Sequence, residues 1–227
     1  MKLHHLGHSA LLVETAGARL LVDPGSFSVP ATADLTDLTA VAITHQHADH
    51  VDPDLLASVL AKNADLPVIA EPQTADMLRG HEALSGSAEQ ITAIAPGEVR
   101  EVGPLRITAV GGEHAVIHPD IPRVGNTGFV VAAEGEPTLG ITGDSLEPVT
   151  EFTGVDALAF AMSAPWSKIQ ETIDFLRAVS PRVALPVHDG ILSPQGRGIF
   201  VLQVGKLSGG DVEVQDWPES GEIELSA

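Results

Sequence analysis

Residues 45 to 50 read His45-Gln46-His47-Ala48-Asp49-His50, directly after the apolar run Ala40-Val41-Ala42-Ile43-Thr44. Four metal-ligand side chains therefore fall within six positions. His45 and His47 are two apart, so in an extended segment their imidazoles project to the same side. Asp49 and His50 follow where the chain must turn. Asp52 is placed to cap a helix over Pro53–Lys62, with Pro53 at its first position and Leu55, Leu56, Val59 and Leu60 as its apolar stripe. Strand, ligand loop and helix in that order hold side chains rigidly around an ion. Imidazole and carboxylate suit zinc, iron or manganese, and the chain has no cysteine whose thiolate would narrow the choice.

The rest of the composition bounds the answer. A chain of 227 residues, 44% of them hydrophobic, suits one large α/β domain spanning 1–227. The lack of cysteine excludes a disulfide scaffold, thiol catalysis and zinc–thiolate sites. Met1-Lys2-Leu3-His4-His5 leads straight into strand-like sequence with no signal-like leader, and no apolar stretch is long enough to span a bilayer. A cytoplasmic location is the expectation. The net charge of −19 repels nucleic acid and offers no basic stripe for it. The expected partner is a small-molecule substrate, with neither nucleic acid nor membrane, and self-association into a homo-oligomer is compatible with this surface.

Outward from the histidine run, the N-terminal segment reads as a three-strand meander over Lys2–Leu6, Ala10–Thr15 and Arg19–Val22. Further strand-like runs are Pro67–Ala70, Ile91–Ala95, Leu105–Val110, Gly128–Ala133, Thr138–Thr142, Ala157–Met162, Val183–Val187 and Val212–Val214. Helical periodicity marks about Thr74–Arg79, Pro165–Val179 and Pro194–Lys206, with Ile169, Ile173, Leu176 and Val179 as the stripe of the second. Strands in the majority with helices interspersed predict two sheets face to face and helices outside, a four-layer αββα sandwich.

Other ligand-type residues recur in one topological position. His114 follows Ile107-Thr108-Ala109-Val110 and a Gly-Gly-Glu loop, Asp144 follows Leu139-Gly140-Ile141-Thr142-Gly143, and His188 follows Val183-Ala184-Leu185-Pro186-Val187. If those strand ends share one edge with His45, their ligands converge.

Here the chain resembles the metallo-β-lactamase superfamily over nearly its full length. His45-Gln46-His47-Ala48-Asp49-His50 matches the H-x-H-x-D-H signature, and His114, Asp144 and His188 match the later ligand positions in order. Leu6-Gly7-His8-Ser9, Asp23-Pro24-Gly25 and the run His114 to Pro122 are most similar to small bacterial metal-dependent hydrolases related to ascorbate-phosphate-type lactonases and phospholipase D-like phosphodiesterases. The resemblance implies one metal site from His45, His47 and His114, a second from Asp49, His50 and His188, and Asp144 as the bridge. It implies two divalent ions, zinc first with manganese or iron as alternatives. A shared hydroxide between them would attack a small ester, lactone or phosphodiester. Asp49 would also orient that nucleophile as a catalytic residue. Asp23 would hold a ligand imidazole in one tautomer, or be a turn residue before Pro24-Gly25.

His8 and His118 fall outside this ligand set. Each could bind substrate or protonate the leaving group, or simply hydrogen-bond within a polar loop. His47 stands where the oxygen-reducing diiron branch carries glutamate, and Asp144 where the commonest zinc β-lactamases carry cysteine. The negative charge argues against a tRNA-processing nuclease. About forty residues follow His188, too few for the C-terminal domain of the glutathione-thioester hydrolases. A dinuclear hydrolase remains, with a catalytically silent metal-binding or regulatory protein and a mononuclear iron sulfur dioxygenase as alternatives.

Overall fold

The computed structural model describes residues 1–226. Two seven-stranded sheets carry the fold. The first contains β1 (Lys2–His5), β2 (Leu11–Thr15), β3 (Ala18–Val22), β4 (Ala40–Ile43), β5 (Val68–Ala70) and β6 (Ile91–Ala93) in spatial order. The second contains β7 (Val99–Val102), β8 (Leu105–Glu113), β9 (Gly125–Ala132), β10 (Leu139–Ile141), β11 (Ala157–Ala161), β12 (Val183–Val187) and β13 (Glu213–Val214), also side by side in chain order. A last strand, β14 (Glu222–Glu224), returns to the first sheet and pairs antiparallel with β1. The helices are α1 (Pro53–Lys62), α2 (Pro72–Arg79), α3 (Ile169–Val179) and α4 (Pro194–Leu207).

Alternation along the strands decides the layers. Leu20, Val22, Ala40 and Ala42 face Ile107, Phe129, Val131, Ala157 and Ala159 of the other sheet in one buried core. Their neighbours Leu21, Val41 and Ile43 point the other way, onto Leu56, Val59 and Leu60 of α1 and Leu78 of α2. Leu158 and Phe160 likewise turn outward onto Ile173, Phe175 and Leu176 of α3 and Val204 of α4. Successive side chains on a strand lie on opposite faces, so a run that is apolar at every position must be covered on both sides. That requirement produces the four-layer αββα sandwich.

Strand direction then gathers the ligand loops. The meander β1-β2-β3 is antiparallel, and β3, β4 and β5 run parallel. In the second sheet β8 and β10 both pair antiparallel with β9, and β10, β11 and β12 are parallel. The C-terminal ends of β8, β10, β11 and β12 therefore share one edge, and it adjoins the ends of β3 and β4. Thr127 donates its backbone N–H to Thr44 O at 2.9 Å and ties the two sheets together there.

Three local expectations are corrected. The helix expected from Pro165 begins at Ile169, because Glu171 accepts the Lys168 backbone N–H and caps it there. Residues 165–168 are free to fold as loop. Strand β7 was not expected because its Val-Arg-Glu-Val run has partly buried apolar ends but no apolar core of its own. Strand β14 offers a single apolar residue, Ile223, between two glutamates. No helix among the described residues is long and apolar enough to cross a membrane.

Candidate metal centre

Two groups of side chains meet at the shared sheet edge. His45, His47, His114 and Asp144 form one, and His8, Asp49, His50 and His188 the other, the potential ligand atoms of each lying within 4.8 Å of one another. His45, His50, His114, Asp144 and His188 are buried, while His47 and Asp49 are partly exposed. Asp144 stands between the groups. Its Oδ1 is 3.1 Å from His50 Nε2 and 3.2 Å from His188 Nε2, and its Oδ2 is 3.3 Å from His114 Nε2.

The backbone that presents these side chains is unusual. His8, Asp23 and His188 all hold left-handed conformations, with φ of 53°, 45° and 62°. Such conformations are costly for residues with a Cβ and concentrate at functional sites. Gly25 lets the loop after β3 lie against the histidine loop. A Cβ there would stand 2.0 Å from the Asp49 carbonyl oxygen. Backbone bonds from Ser26 N to Ala48 O and from Asp52 N to Pro24 O, at 2.8 and 3.0 Å, stitch the two loops together. As expected, the Asp52 side chain caps α1.

Ring tautomers follow from what each Nδ1 touches. His50 Nδ1 donates to Asp23 Oδ2 at 2.8 Å, His114 Nδ1 to Ala115 O at 2.6 Å and His188 Nδ1 to Ser163 O at 2.7 Å. Thr44 donates its hydroxyl to Asp23 Oδ2 at 2.7 Å, so its oxygen accepts His45 Nδ1–H at 3.1 Å. In its neutral form, with the proton on Nδ1, each of these four rings turns a bare Nε2 inward. A bare imidazole nitrogen is a metal ligand, and an oxygen acceptor on the opposite nitrogen is what fixes it.

His8 is arranged the other way round. Its Nδ1 accepts the Gly190 backbone N–H at 2.9 Å, so its proton sits on Nε2 and is donated to Asp49 Oδ2 at 3.1 Å. A protonated nitrogen has no lone pair for a metal. His8 thus joins the cluster as a hydrogen-bond donor to a carboxylate.

The electrostatics are those of a site built for cations. Burial alone would lower His50 and His188. The Asp144 carboxylate, with Asp23 for His50 and Asp49 for His188, outweighs burial and raises them to about 10 and about 9. Burial, with imidazole neighbours, holds His45 well below the usual histidine range and lowers His47. Burial also lowers His8, partly opposed by its bond to Asp49. Asp49 and Asp144 stay below the usual carboxylate range because surrounding imidazoles overcome the cost of burial.

The residues fit a metal centre. His114 Nε2, Asp144 Oδ1 and His188 Nε2 are buried without a hydrogen-bond partner. His188 Nε2 and Asp144 Oδ1 are close, yet their angles do not make a bond. Buried polar atoms left unpaired are costly, and three of them within the two clusters call for cations.

Two expectations change at the site. His118 is not brought in. It lies on the exposed loop after His114, with Nδ1 accepting the Asp120 backbone N–H at 3.2 Å, and Ile117 faces the metal edge in its place. Trp166, which the sequence reading had placed in a helix, lies over the site instead. Its Nε1–H donates to Asp144 Oδ2 at 2.9 Å, and its ring meets His114 edge-on at 5.8 Å. Its position just beyond the end of β11 was the available signal. Asn126 was also missed. Buried on β9, it accepts the Asp144 backbone N–H and donates to Thr142 O, fixing the turn that presents Asp144.

A cavity of about 360 Å³ opens over both groups, lined by His47, Asp49, His114, Ile117, Asp144, Pro165, Trp166 and His188.

Comparison with known proteins agrees with this geometry. Residues 2–188 match the model of the beta-lactamase superfamily domain. Protein Rv0786c of Mycobacterium tuberculosis is 40% identical over 215 residues, covering 94% of this chain and 96% of its own. A UPF0173 metal-dependent hydrolase of Xanthobacter autotrophicus is 30% identical over 155 residues, 64% of this chain and 62% of its own. The metallo-beta-lactamase fold protein YhfI of Bacillus subtilis superposes with a TM-score of 0.66 at 18% identity, covering 94% of this chain and 95% of that one. With residues 2–188 matching that family model, the chain belongs to the beta-lactamase superfamily, and its fold is that of the metallo-beta-lactamase fold proteins.

Proposed function

We propose that this protein is a dinuclear metal-dependent hydrolase of a small ester, lactone or phosphodiester. The observation that supports the reading is the pair of side-chain clusters meeting at Asp144, with four Nε2 atoms turned inward by oxygen acceptors behind them. In the proposed assignment His45, His47 and His114 would hold one divalent ion, Asp49, His50 and His188 would hold the other, and Asp144 would be shared by the two. Zinc suits this donor set, as do manganese and iron. The ions when bound supply Lewis acidity, which yields a nucleophile from water near neutral pH and offsets charge developing on the scissile group.

The protein's own side chains do the remaining work. Asp23 accepts from His50 Nδ1, Thr44 N and Thr44 Oγ1, and so locks the His50 ring and the start of the histidine loop together. Asp49, partly exposed where it lines the cavity, keeps an oxygen available to accept a hydrogen bond from the attacking water and orient it. His8 holds the other oxygen of Asp49 in place through its Nε2–H. Trp166 supports Asp144 from above and, with Pro165 and Ile117, limits the approach of bulk water to the cavity.

The test is elemental analysis of purified protein, followed by a panel of esters, lactones and phosphodiesters on the same sample. Two ions per chain with turnover that chelation abolishes and metal restores is the expected result. Fully loaded protein that hydrolyses nothing would favour a silent metal-binding role. Oxygen uptake with a persulfide would assign it to the dioxygenases.

A further inference from the structure

Nine large apolar side chains are exposed among the described residues, and their distribution is uneven. Six of them, Phe27, Val29, Val116, Ile117, Ile121 and Ile191, lie on the loops that follow Asp23, His114 and His188. The other three are on α4. The surfaces at the metal edge are continuous. Ile117 lines the cavity over the ligands with Pro165 and Trp166, and also lines a cleft beside it with Val116, Ile121 and Pro122. Val116 and Trp166 line a further cavity of about 490 Å³ with Leu146. On the opposite side Phe27 packs edge-on against His8, with ring centres 5.0 Å apart. Contiguous exposed apolar surface bordering a polar site marks a place where something apolar binds.

The charges around this surface exclude another occupant. Of the described residues lining these three cavities, Arg123 is the one non-histidine cation, against Glu113, Glu147 and Glu171 besides Asp49 and Asp144 of the clusters. Arg123 is already engaged, paired with Glu113 at 2.6 Å and donating to the His114 carbonyl. A phosphate or carboxylate remote from the scissile bond would find no free cation, and the net charge of −19 would repel it.

We propose that the substrate carries an extended, uncharged apolar arm, seated on Val116, Ile117, Ile121 and Trp166 while the scissile group faces the ligands. This rests on the hydrolase reading and narrows its substrate class. Burying a methylene contributes about 0.8 kcal/mol, close to fourfold in affinity, and a half-covered one about twofold. From an acetyl to an octanoyl ester, kcat/KM is therefore expected to rise by at least roughly tenfold.

The experiment uses p-nitrophenyl acetate, butyrate, hexanoate and octanoate with the zinc-loaded protein and its Ile117→Ser variant. In parallel, the metal-free forms of both, each carrying Trp217→Phe so that Trp166 is the one tryptophan, are titrated with 1-octanol while tryptophan fluorescence is followed. The expected result is a rise with chain length that flattens in Ile117→Ser, and a saturable fluorescence change that weakens in the variant. A flat or falling series, or equal octanol titrations in the two proteins, overturns the proposal. So does a dimer at assay concentration that Ile117→Ser dissociates, because a second copy would then cover the surface. If no ester of any length is hydrolysed, the ester branch of the hydrolase reading fails by itself. The octanol titration still decides whether the apolar seat exists.

Discussion

His8 and Asp49, 41 residues apart, are joined by a 3.1 Å hydrogen bond whose direction is set from a third place in the chain. The Gly190 N–H occupies His8 Nδ1, and His188 N donates to the His8 carbonyl at 2.9 Å. The loop carrying His188, a proposed ligand, thereby decides which nitrogen of His8 bears the proton. His8 can then only donate to Asp49.

His8→Ala is accordingly expected to retain two ions per chain while kcat/KM falls roughly 10- to 100-fold, the usual cost of losing a partner that orients a ligand. His8→Gln, whose amide can still donate, should recover part of the loss. Elemental analysis beside steady-state kinetics checks both. Loss of an ion in His8→Ala would instead make His8 a ligand.

Asp144→Ala should empty both clusters together with activity, because one carboxylate faces His50, His114 and His188 at 3.1 to 3.3 Å. Trp166→Phe removes only the hydrogen bond to Asp144 and should keep its ions. His81→Ala is the control. Its partly exposed ring accepts the Ala83 N–H at 3.3 Å and belongs to neither cluster, so its loss should change nothing in metal content. Two ions bound by Asp144→Ala would sink the bridging assignment.

Gly25→Ala places a methyl group 2.0 Å from the Asp49 carbonyl oxygen and 2.6 Å from His50 N, and neither is a flexible side-chain end. The loops must separate, at a cost of about 1–3 kcal/mol. Thermal unfolding with and without zinc should show a lower midpoint and a smaller shift on adding metal. An unchanged midpoint and shift would contradict the close approach of these loops.

Metal affinity should rise with pH up to about 9 to 10. His50 and His188 are raised to about 10 and about 9, so both carry a proton at neutral pH in the metal-free protein and must lose it to bind an ion. Calorimetry in buffers of different ionisation enthalpy should find about two protons released per chain at pH 7. The stability of the metal-free protein has a linked sign. The contribution of these raised groups is complete below their ordinary value of about 6.5 and fades as pH rises through about 9 to about 10. Zero proton release would mean that the two rings are already neutral.

The sequence alone determined the sandwich and the candidate ligands. Leu20 to Val22, Ala40 to Ile43 and Ala157 to Ala161 are apolar at every position, so they must be buried on both faces between helices and a second sheet. His45, Asp144 and His188 each follow a wholly apolar strand, His114 follows the alternating strand β8, and strands running in one direction within a sheet deliver their ends to one edge. What only the tertiary structure decided is the direction of each ring and the roof of the site. His50 takes its tautomer from Asp23, 27 residues away, His188 from Ser163, 25 away, and His8 from Gly190, 182 away. No local pattern specifies such partners, because a hydrogen bond between distant loops exists only once both sheets have packed. Proline at the expected start of α3 also fits a loop, and the capping of that helix by Glu171 is what leaves Trp166 over Asp144. The loop after His114 has the same ambiguity. Ile117 and His118 are adjacent, and the turn of the backbone gives the cavity to the isoleucine and the solvent to the histidine.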